Sequence, residues 1–419
     1  MSTASGRAPG ALSGRAVQEK RIERDIEAVA AFTEEDPRIG CSRPTFSPAW
    51  RRARDYLLGE ARSAGCRTWV DAAGNGHARP QGLADGQRAW LCGSHVDSVP
   101  TGGRFDGVVG VVVALEVLRV APEAPVELVV FAEEEGTTFN LGMLGSRAWA
   151  GTLDAAQLGA LTNRNGQTYL GAGEAHGVKP DRLGSEHLRP GQYLGMIEVH
   201  IEQGPGLWKA GAPLAVVTGI SGRRQYSCSL RGDANHAGST RMTDRRDALA
   251  GAAQLVCSLE ALGRELDRET AGAVITVGRL DVQPGAVNVI PGKAAFTVDF
   301  RSPSNSQLAR GDARVRAVIS TTASDRNLEL GLECTEEISA LPLDEGVCGL
   351  LRAAARRLGM DLPNATSGAL HDTAILAPFL PAAMLFVASR DGISHNPGEF
   401  SSIEHIAMAA RVVAEAVRP

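Results

Sequence analysis

The stretch from Gly93 to Gly107, GSHVDSVPTGGRFDG, constrains this chain more than any other. An apolar run, Ala89-Trp90-Leu91-Cys92, enters it like a buried strand, and the apolar run Val108 to Val120 leaves it like a helix. Between them lies a glycine-rich loop with one imidazole, His95, and two carboxylates, Asp97 and Asp106. Strand, loop and helix in that order belong to open α/β sheets, which place their chemistry in loops at the C-terminal ends of strands. Imidazole and carboxylate together suit a divalent transition metal such as zinc. Three candidate ligands on one loop are not a complete site, so other segments must supply the rest.

Three further segments qualify. The run Val126 to Ala132 reads as a strand and ends in Glu133-Glu134-Glu135-Gly136. Adjacent carboxylates after a buried strand repel one another. They form either a charged loop or one metal ligand beside one general base. Met196 to Gly204 alternates apolar and polar residues, with His200 on the polar parity beside Glu198 and Glu202. An isolated histidine there would be a surface group or a structural hydrogen bonder. The buried run Ala383 to Val387 leads into SRDGISHNP, which carries His395. Each of these residues has an ordinary explanation alone; their joint arrangement does not.

Length and composition bound the rest. A chain of 419 residues is too long for one ordinary domain, so two are expected. Its 43% hydrophobic and 22% charged residues are those of a globular protein. The net charge of −5 and the absence of a basic block give nucleic-acid binding no support. The apolar runs are too short and interrupted for a membrane span. Residues 1–15, rich in Ser, Ala and Gly, read as a disordered leader without the apolar core of a secretory signal. Seven scattered cysteines, never in CxxC spacing, read as buried filler in a reduced, cytoplasmic compartment.

Periodicity predicts helices over 21–32 and 50–64, a strand over 67–71, and a helical excursion with loops over 153–190. Apolar runs alternating with helices argue for βαβ units with parallel strands. From Ser221 the character changes. Strands over 224–230, 273–277, 294–300 and 327–334 mix with helices over 247–264 and 308–319, and Asn235 to Ser239 forms a turn. This reads as a compact α+β insert, residues 221–336, that interrupts a domain formed by 16–220 and 337–419. Helices over 348–358 and 403–417 complete that domain.

With these residues in view the chain resembles a known family, the amidase, hydantoinase and carbamoylase branch of the M20 metallopeptidases. That branch includes N-carbamoyl-L-amino-acid hydrolases, β-ureidopropionases and allantoate amidohydrolases. The segments that carry the likeness are GSHVDSVPTGGRFDGVVGV, FAEEEGTTF with GSRAWAG, IEVHIEQGP, ANHAGST with RRDAL, PGAVNVIPGK with DFR, and SRDGISHNP. They span about residues 40–400.

The resemblance implies a two-domain α/β hydrolase: a di-metal domain with a mixed sheet flanked by helices, and an inserted lid and dimerisation domain. Asp106 would bridge two divalent cations, zinc first, with manganese, cobalt or nickel as alternatives. His95 and His200 would complete one site, Glu135 and His395 the other. Asp97 would orient His95, and Glu134 would be the general base. His236 would help stabilise the oxyanion, reaching across a homodimer. Asn288 and Arg301 would hold the substrate carboxylate, a task for which the planar fork of arginine is suited; sequence alone would make Arg301 a strand-end surface charge. Gln203 and His371 are further substrate contacts. Hinge motion would bring His236, Asn288 and Arg301 over the metals.

Four positions depart from the family pattern: Glu133 where Asn is common, Thr138 for Arg, Arg241 for Pro, and Leu370 for Gly. None removes a metal ligand; Arg241 and Leu370 bear on the substrate. The implied reaction is hydrolysis of a linear C–N bond in an N-carbamoyl-L-amino acid or related ureido acid. The alternatives are an N-acyl-amino-acid amidase or dipeptidase with the same metals, and a non-catalytic homologue that binds an amino-acid derivative. His200 in the motif HIEQGP, where peptidase relatives more often carry an acidic ligand, weighs against the first. The complete ligand set weighs against the second.

Overall fold

The computed structural model describes residues 16–84 and 86–418; the expected leader, residues 1–15, lies outside them. The chain divides into two compact units. One comprises the chain up to Thr218 together with Leu343–Ala365 and His371–Pro419; the other comprises Gly219–Pro342 and Thr366–Leu370.

The first unit is built on a mixed sheet flanked by helices. Its strands run in the order Cys66–Val70, Gly76–Pro80, Val126–Phe131, Ala89–His95, Tyr193–Ile201, Ala382–Val387 and Leu214–Ile220. The four strands of the centre, Val126–Phe131 to Ala382–Val387, pair in parallel. Pairing is antiparallel on both sides of them. The parallel strands finish level with one another, because His95 pairs with Phe131 and His200 with Phe386. Their four following loops are therefore gathered at one end of the sheet, which is what positions the site. The strands Gly76–Pro80 and Leu214–Ile220 were not expected from periodicity; both lie at the antiparallel sides.

The helix Val108–Val120 follows the first loop. Its many valines lower helix propensity, since branching at Cβ restricts χ1 against the preceding turn. Burial outweighs that preference: residues 108–119 are all buried, and each Val or Leu so enclosed contributes roughly 1.5–3 kcal/mol. Such an all-round apolar helix belongs inside a protein. It packs on the strand Ala89–His95 and against the helices Glu19–Ala30, Pro48–Ser63 and Ile403–Ala416. Its one carboxylate, the buried Glu116, is satisfied by Arg21 and the main chain of Gln18. The excursion over 153–190 consists of the short helices Ala155–Ala160 and Tyr169–Gly173 and two 3₁₀ turns.

The second unit is an antiparallel sheet, Leu280–Gln283, Lys293–Ser302, Gly222–Arg231 and Glu329–Ile338, with Val274–Thr276 beside Lys293–Ser302. Burial alternates strictly along Lys293–Ser302, so one face is packed. The helices Ala248–Glu269 and Asn305–Asp325 cover that face around Tyr226, Leu255, Leu259, Phe296 and Phe300. All seven cysteines are free, but they are not uniformly filler: Cys257 is exposed, because it falls on the outward side of the helix Ala248–Glu269. Among the described residues no helix is long and apolar enough to cross a membrane.

Candidate active site

The loops at the end of the parallel strands bring His95, Asp106, Glu134, Glu135, His200, Gln203 and His395 together. The ligand atoms of His95, Asp106 and His200 lie within 4.8 Å of one another, as do those of Asp106, Glu135 and His395. Asp106 belongs to both groups. Its Oδ1 is 3.2 Å from His200 Nε2 and its Oδ2 is 3.1 Å from His395 Nε2.

Both buried imidazoles are held by carbonyl oxygens. His95 Nδ1 is 3.0 Å from the main-chain oxygen of Asp97, and His200 Nδ1 is 2.9 Å from that of Ile201. A carbonyl can only accept, so Nδ1 carries the proton and donates, leaving the lone pair of Nε2 facing the site. The orientation expected of the Asp97 carboxylate thus comes from its main chain. The carboxylate itself accepts from Glu135 N at 3.0 Å, with its other oxygen 3.6 Å from His95 Nδ1. Asp97 thereby ties the His95 loop to the Glu134-Glu135 loop.

Glu134 Oε2 lies 3.6 Å from His95 Nε2, and Glu135 Oε2 3.5 Å from His395 Nε2. Gln203 donates from Nε2 to Asp106 Oδ2 at 3.0 Å, which places it beside the candidate ligands. His371 is buried with its ring 4.4 Å from that of His200. Glu133 is also buried, and its Oε1 accepts from Thr138 N and Phe139 N at 2.8 Å each. This extra carboxylate closes the loop that carries Glu134 and Glu135. Glu133, Gln203 and His395 all take the left-handed conformation, with φ of 56°, 57° and 53°. Such strain collects at functional sites, where surrounding structure enforces it.

The electrostatics describe a crowded cluster of buried carboxylates and imidazoles. Burial raises Glu134 well above the ordinary carboxylate range, with Glu135 and Asp372 adding to it. Burial and repulsion from Asp106 push Glu135 up to about 7. The hydrogen bond that His395 donates to Asp106 draws the imidazole up to about 9. His95 is also raised well above its usual value, because the nearby carboxylates, Glu134 first, outweigh the cost of burying its charge. These carboxyls and imidazoles hold their protons more tightly than free side chains do. Asp106 Oδ1, Glu135 Oε1 and His200 Nε2 are buried without a hydrogen-bond partner, an arrangement that costs free energy unless a further group engages them. Imidazole and carboxylate donors grouped in this way fit divalent cations of the zinc type.

Several supporting residues were not anticipated from sequence. Glu198 is buried and accepts from Ser94 Oγ, Thr373 N and Thr373 Oγ1 at 2.7, 3.1 and 2.6 Å. Its parity with His200 was the available signal. Glu399 accepts from the main chain of Phe105 and Asp106.

The remaining predicted residues lie in the second unit. His236 and Asn288 are brought together there: the strand Asn235–His236 pairs with Val289–Ile290, and Ala237 N donates to Asn288 O. His236 Nδ1 accepts from Gly238 N and Ser239 N at 3.0 and 3.2 Å, so its proton sits on Nε2. Arg301 is engaged by the Asp299 carboxylate and by Gly368 O.

Residues 91–418 match the model of peptidase family M20/M25/M40, and the chain belongs to that family. Within it, the chain falls in the carbamoylase branch and is a hydrolase of C–N bonds in linear amides. It is 38% identical to an N-carbamoyl-L-amino acid amidohydrolase of Geobacillus stearothermophilus over 90% of this chain and 92% of that one. It is 31% identical to the allantoate amidohydrolase of Escherichia coli K12, over 94% and 96% of the two chains. A solved amidase of the hydantoinase/carbamoylase family from Burkholderia multivorans superposes with a TM-score of 0.87 at 34% identity, over 96% of this chain and 97% of that one.

Proposed function

We propose that the protein hydrolyses an N-carbamoyl-L-amino acid or closely related ureido acid to the amino acid, ammonia and carbon dioxide. The observation that carries this reading is the pair of ligand groups sharing Asp106, with Glu134 beside them and outside both groups. His95 and His200 would hold one divalent cation, and Glu135 and His395 the other. Zinc is the first choice; manganese, cobalt and nickel accept the same donors. The two cations, when bound, supply Lewis acidity and lower the pKa of water.

The chain's own groups do the rest. Glu134 takes a proton from the attacking water and delivers it to the leaving nitrogen. Its buried setting favours that exchange, since a carboxylate in low dielectric holds a proton more readily. Asp97 keeps Glu135 and His95 in place through its carboxylate and carbonyl. Gln203 directs the second oxygen of Asp106. His236, with its Nε2–H free to donate, stabilises the developing oxyanion. Arg301 and Asn288 recognise the substrate carboxylate, and Gln203 and His371 are further substrate contacts. The working assembly is a homodimer.

The test is ammonia release by metal-reconstituted protein on a panel of N-carbamoyl-L-amino acids, β-ureidopropionate and allantoate. N-acetyl amino acids and dipeptides are the controls. Release from a ureido compound supports the reading. Cleavage confined to the acyl or peptide controls moves the protein to an acylase or dipeptidase. Failure to retain metal, with no turnover, makes it a binding homologue.

A further inference from the structure

Two loops carry ligands that must meet although about 290 residues separate them: the one with Asp106 and the one with His395. His395 in particular is poorly held by packing. Its side chain is half exposed, at 49%, and its backbone is left-handed.

We infer that Glu399 is a positioning residue that locks these two loops in register and so holds His395 and Asp106 in ligating geometry. The inference rests on the two-cation reading above. Glu399 is 3% exposed. Its Oε1 accepts from Phe105 N at 2.8 Å and Asp106 N at 3.0 Å, and its Oε2 accepts from Ser394 Oγ at 2.9 Å. One carboxylate therefore grips the main chain of one ligand and the residue directly before the other. The turn that returns the chain to this spot is closed by Glu399 N and Gly398 N, which donate to Asn396 O and Asn396 Oδ1. Phe400 continues the join with its ring edge-on to Phe105 at 5.9 Å.

The space for this carboxylate is kept by a glycine. A Cβ on Gly103 would lie 2.2 Å from Glu399 Oε1 and 2.5 Å from Glu399 Cβ, so any larger residue displaces the side chain. Gln203 braces the same join, its Nε2 donating to Asp106 Oδ2 and lying 3.4 Å from Ser394 Oγ. Glu399 makes none of its hydrogen bonds to a ligating atom. It acts through backbone and a neighbouring hydroxyl, and outer partners of this kind commonly set metal affinity by about 10–100-fold.

The experiment is a titration of metal-free full-length protein with Zn²⁺ against a competing chelator, repeated with Co²⁺ to follow the ligand-field spectrum. Thermal midpoints of the metal-free proteins are measured alongside. Glu399→Ala is expected to weaken one of the two cations by about 10–100-fold and to alter its Co²⁺ spectrum. Glu399→Gln keeps an acceptor for the two amides and a donor for Ser394 Oγ, and is expected to restore most of that affinity. Ser394→Ala removes one arm only and is expected to give an intermediate loss at the same cation; it covers the case in which Glu399→Ala fails to fold. Wild-type affinity in Glu399→Ala, with only a lower thermal midpoint, would reduce Glu399 to a structural residue and overturn the inference. Glu399→Gln as weak as Glu399→Ala would also overturn it, because charge and not the tie would then matter. Wild-type protein that binds no cation would overturn the two-cation reading as well, and the two failures are told apart by that first titration.

Discussion

Gly107 offers the sharpest test of whether His95 Nε2 is the working face of its imidazole. The residue has φ of +66° and sits at the start of the buried helix Val108–Val120. A Cβ placed there would lie 2.4 Å from His95 Nε2 and 2.5 Å from both flanking ring carbons. Gly107→Ala therefore brings two separate effects. The backbone at Gly107, φ 66° with ψ −45°, lies outside the left-handed helical well and costs an alanine at least about 1–2 kcal/mol. The clash requires the ring to retreat by about 1 Å, a displacement that at a reacting centre lowers rate by roughly 100-fold. The ring has little room to comply, being 1% exposed and anchored at Nδ1. Gly65→Ala isolates the backbone effect, because Gly65 has φ of +88° and nothing within 4 Å of its added Cβ. The assay is kcat/KM on the best ureido substrate, with metal content after dialysis. Gly107→Ala should lose about 100-fold and hold one cation weakly, while Gly65→Ala keeps wild-type activity and both show a similar modest fall in thermal midpoint. A Gly107→Ala enzyme with full activity and two retained cations would refute the assignment of Nε2. Equal losses in both variants would assign the effect to backbone strain.

Glu134→Gln should lower kcat by about 10²–10⁴-fold with metal content unchanged, as removal of a general base does; retained activity would exclude Glu134 from that role. Arg301→Lys should raise KM about tenfold with little change in kcat, since an ammonium cannot replace the planar fork that meets a carboxylate; an unchanged KM would return Arg301 to a strand-end charge paired with Asp299. His77, which belongs to none of the candidate ligand groups, predicts a pH dependence of stability. Burial disfavours its charge, but hydrogen bonds to Asp71 and Glu127 outweigh that and raise it to about 9. A histidine raised in the fold stabilises fully below its unfolded value of about 6.5, and the contribution, on the order of 3 kcal/mol, is lost as pH rises through 9. The thermal midpoint of the wild type should fall between those pH values more steeply than that of His77→Gln; parallel profiles would show that His77 is neutral in the fold.

Much of the candidate site was legible because its candidate ligands sit where strands end. The loop after Ala89–His95, the glutamates after Val126–Phe131 and the histidine loop after Ala382–Val387 each follow an apolar run whose end can be read directly. The strands Gly76–Pro80 and Leu214–Ile220 were harder. GHARP carries a glycine, a proline and two charged or polar side chains, yet every residue of it is buried. Its polar groups are answered by distant partners, His77 and Arg79 by Glu127. Local pattern cannot report a partner fifty residues away.

The strand Tyr193–Ile201 shows why the residues that support the candidate site are hard to read from sequence. Alternation of apolar and polar residues ordinarily means one dry face and one wet face, which would put His200 and Glu198 in water. Both are buried, at 1% and 0% exposure. The polar parity faces an interior layer, where Glu198 is satisfied by Ser94 and Thr373 and His200 by a carbonyl of its own strand. A buried carboxylate is tolerable only when its lone pairs are filled, and the groups that fill them come from residues 94 and 373, on opposite sides of the insert. The same holds for Glu399, whose donors are Phe105, Asp106 and Ser394. Periodicity tells which residues share a face but not what that face meets, and in a sheet buried on both sides the meeting partners decide whether a polar residue is surface, support or ligand.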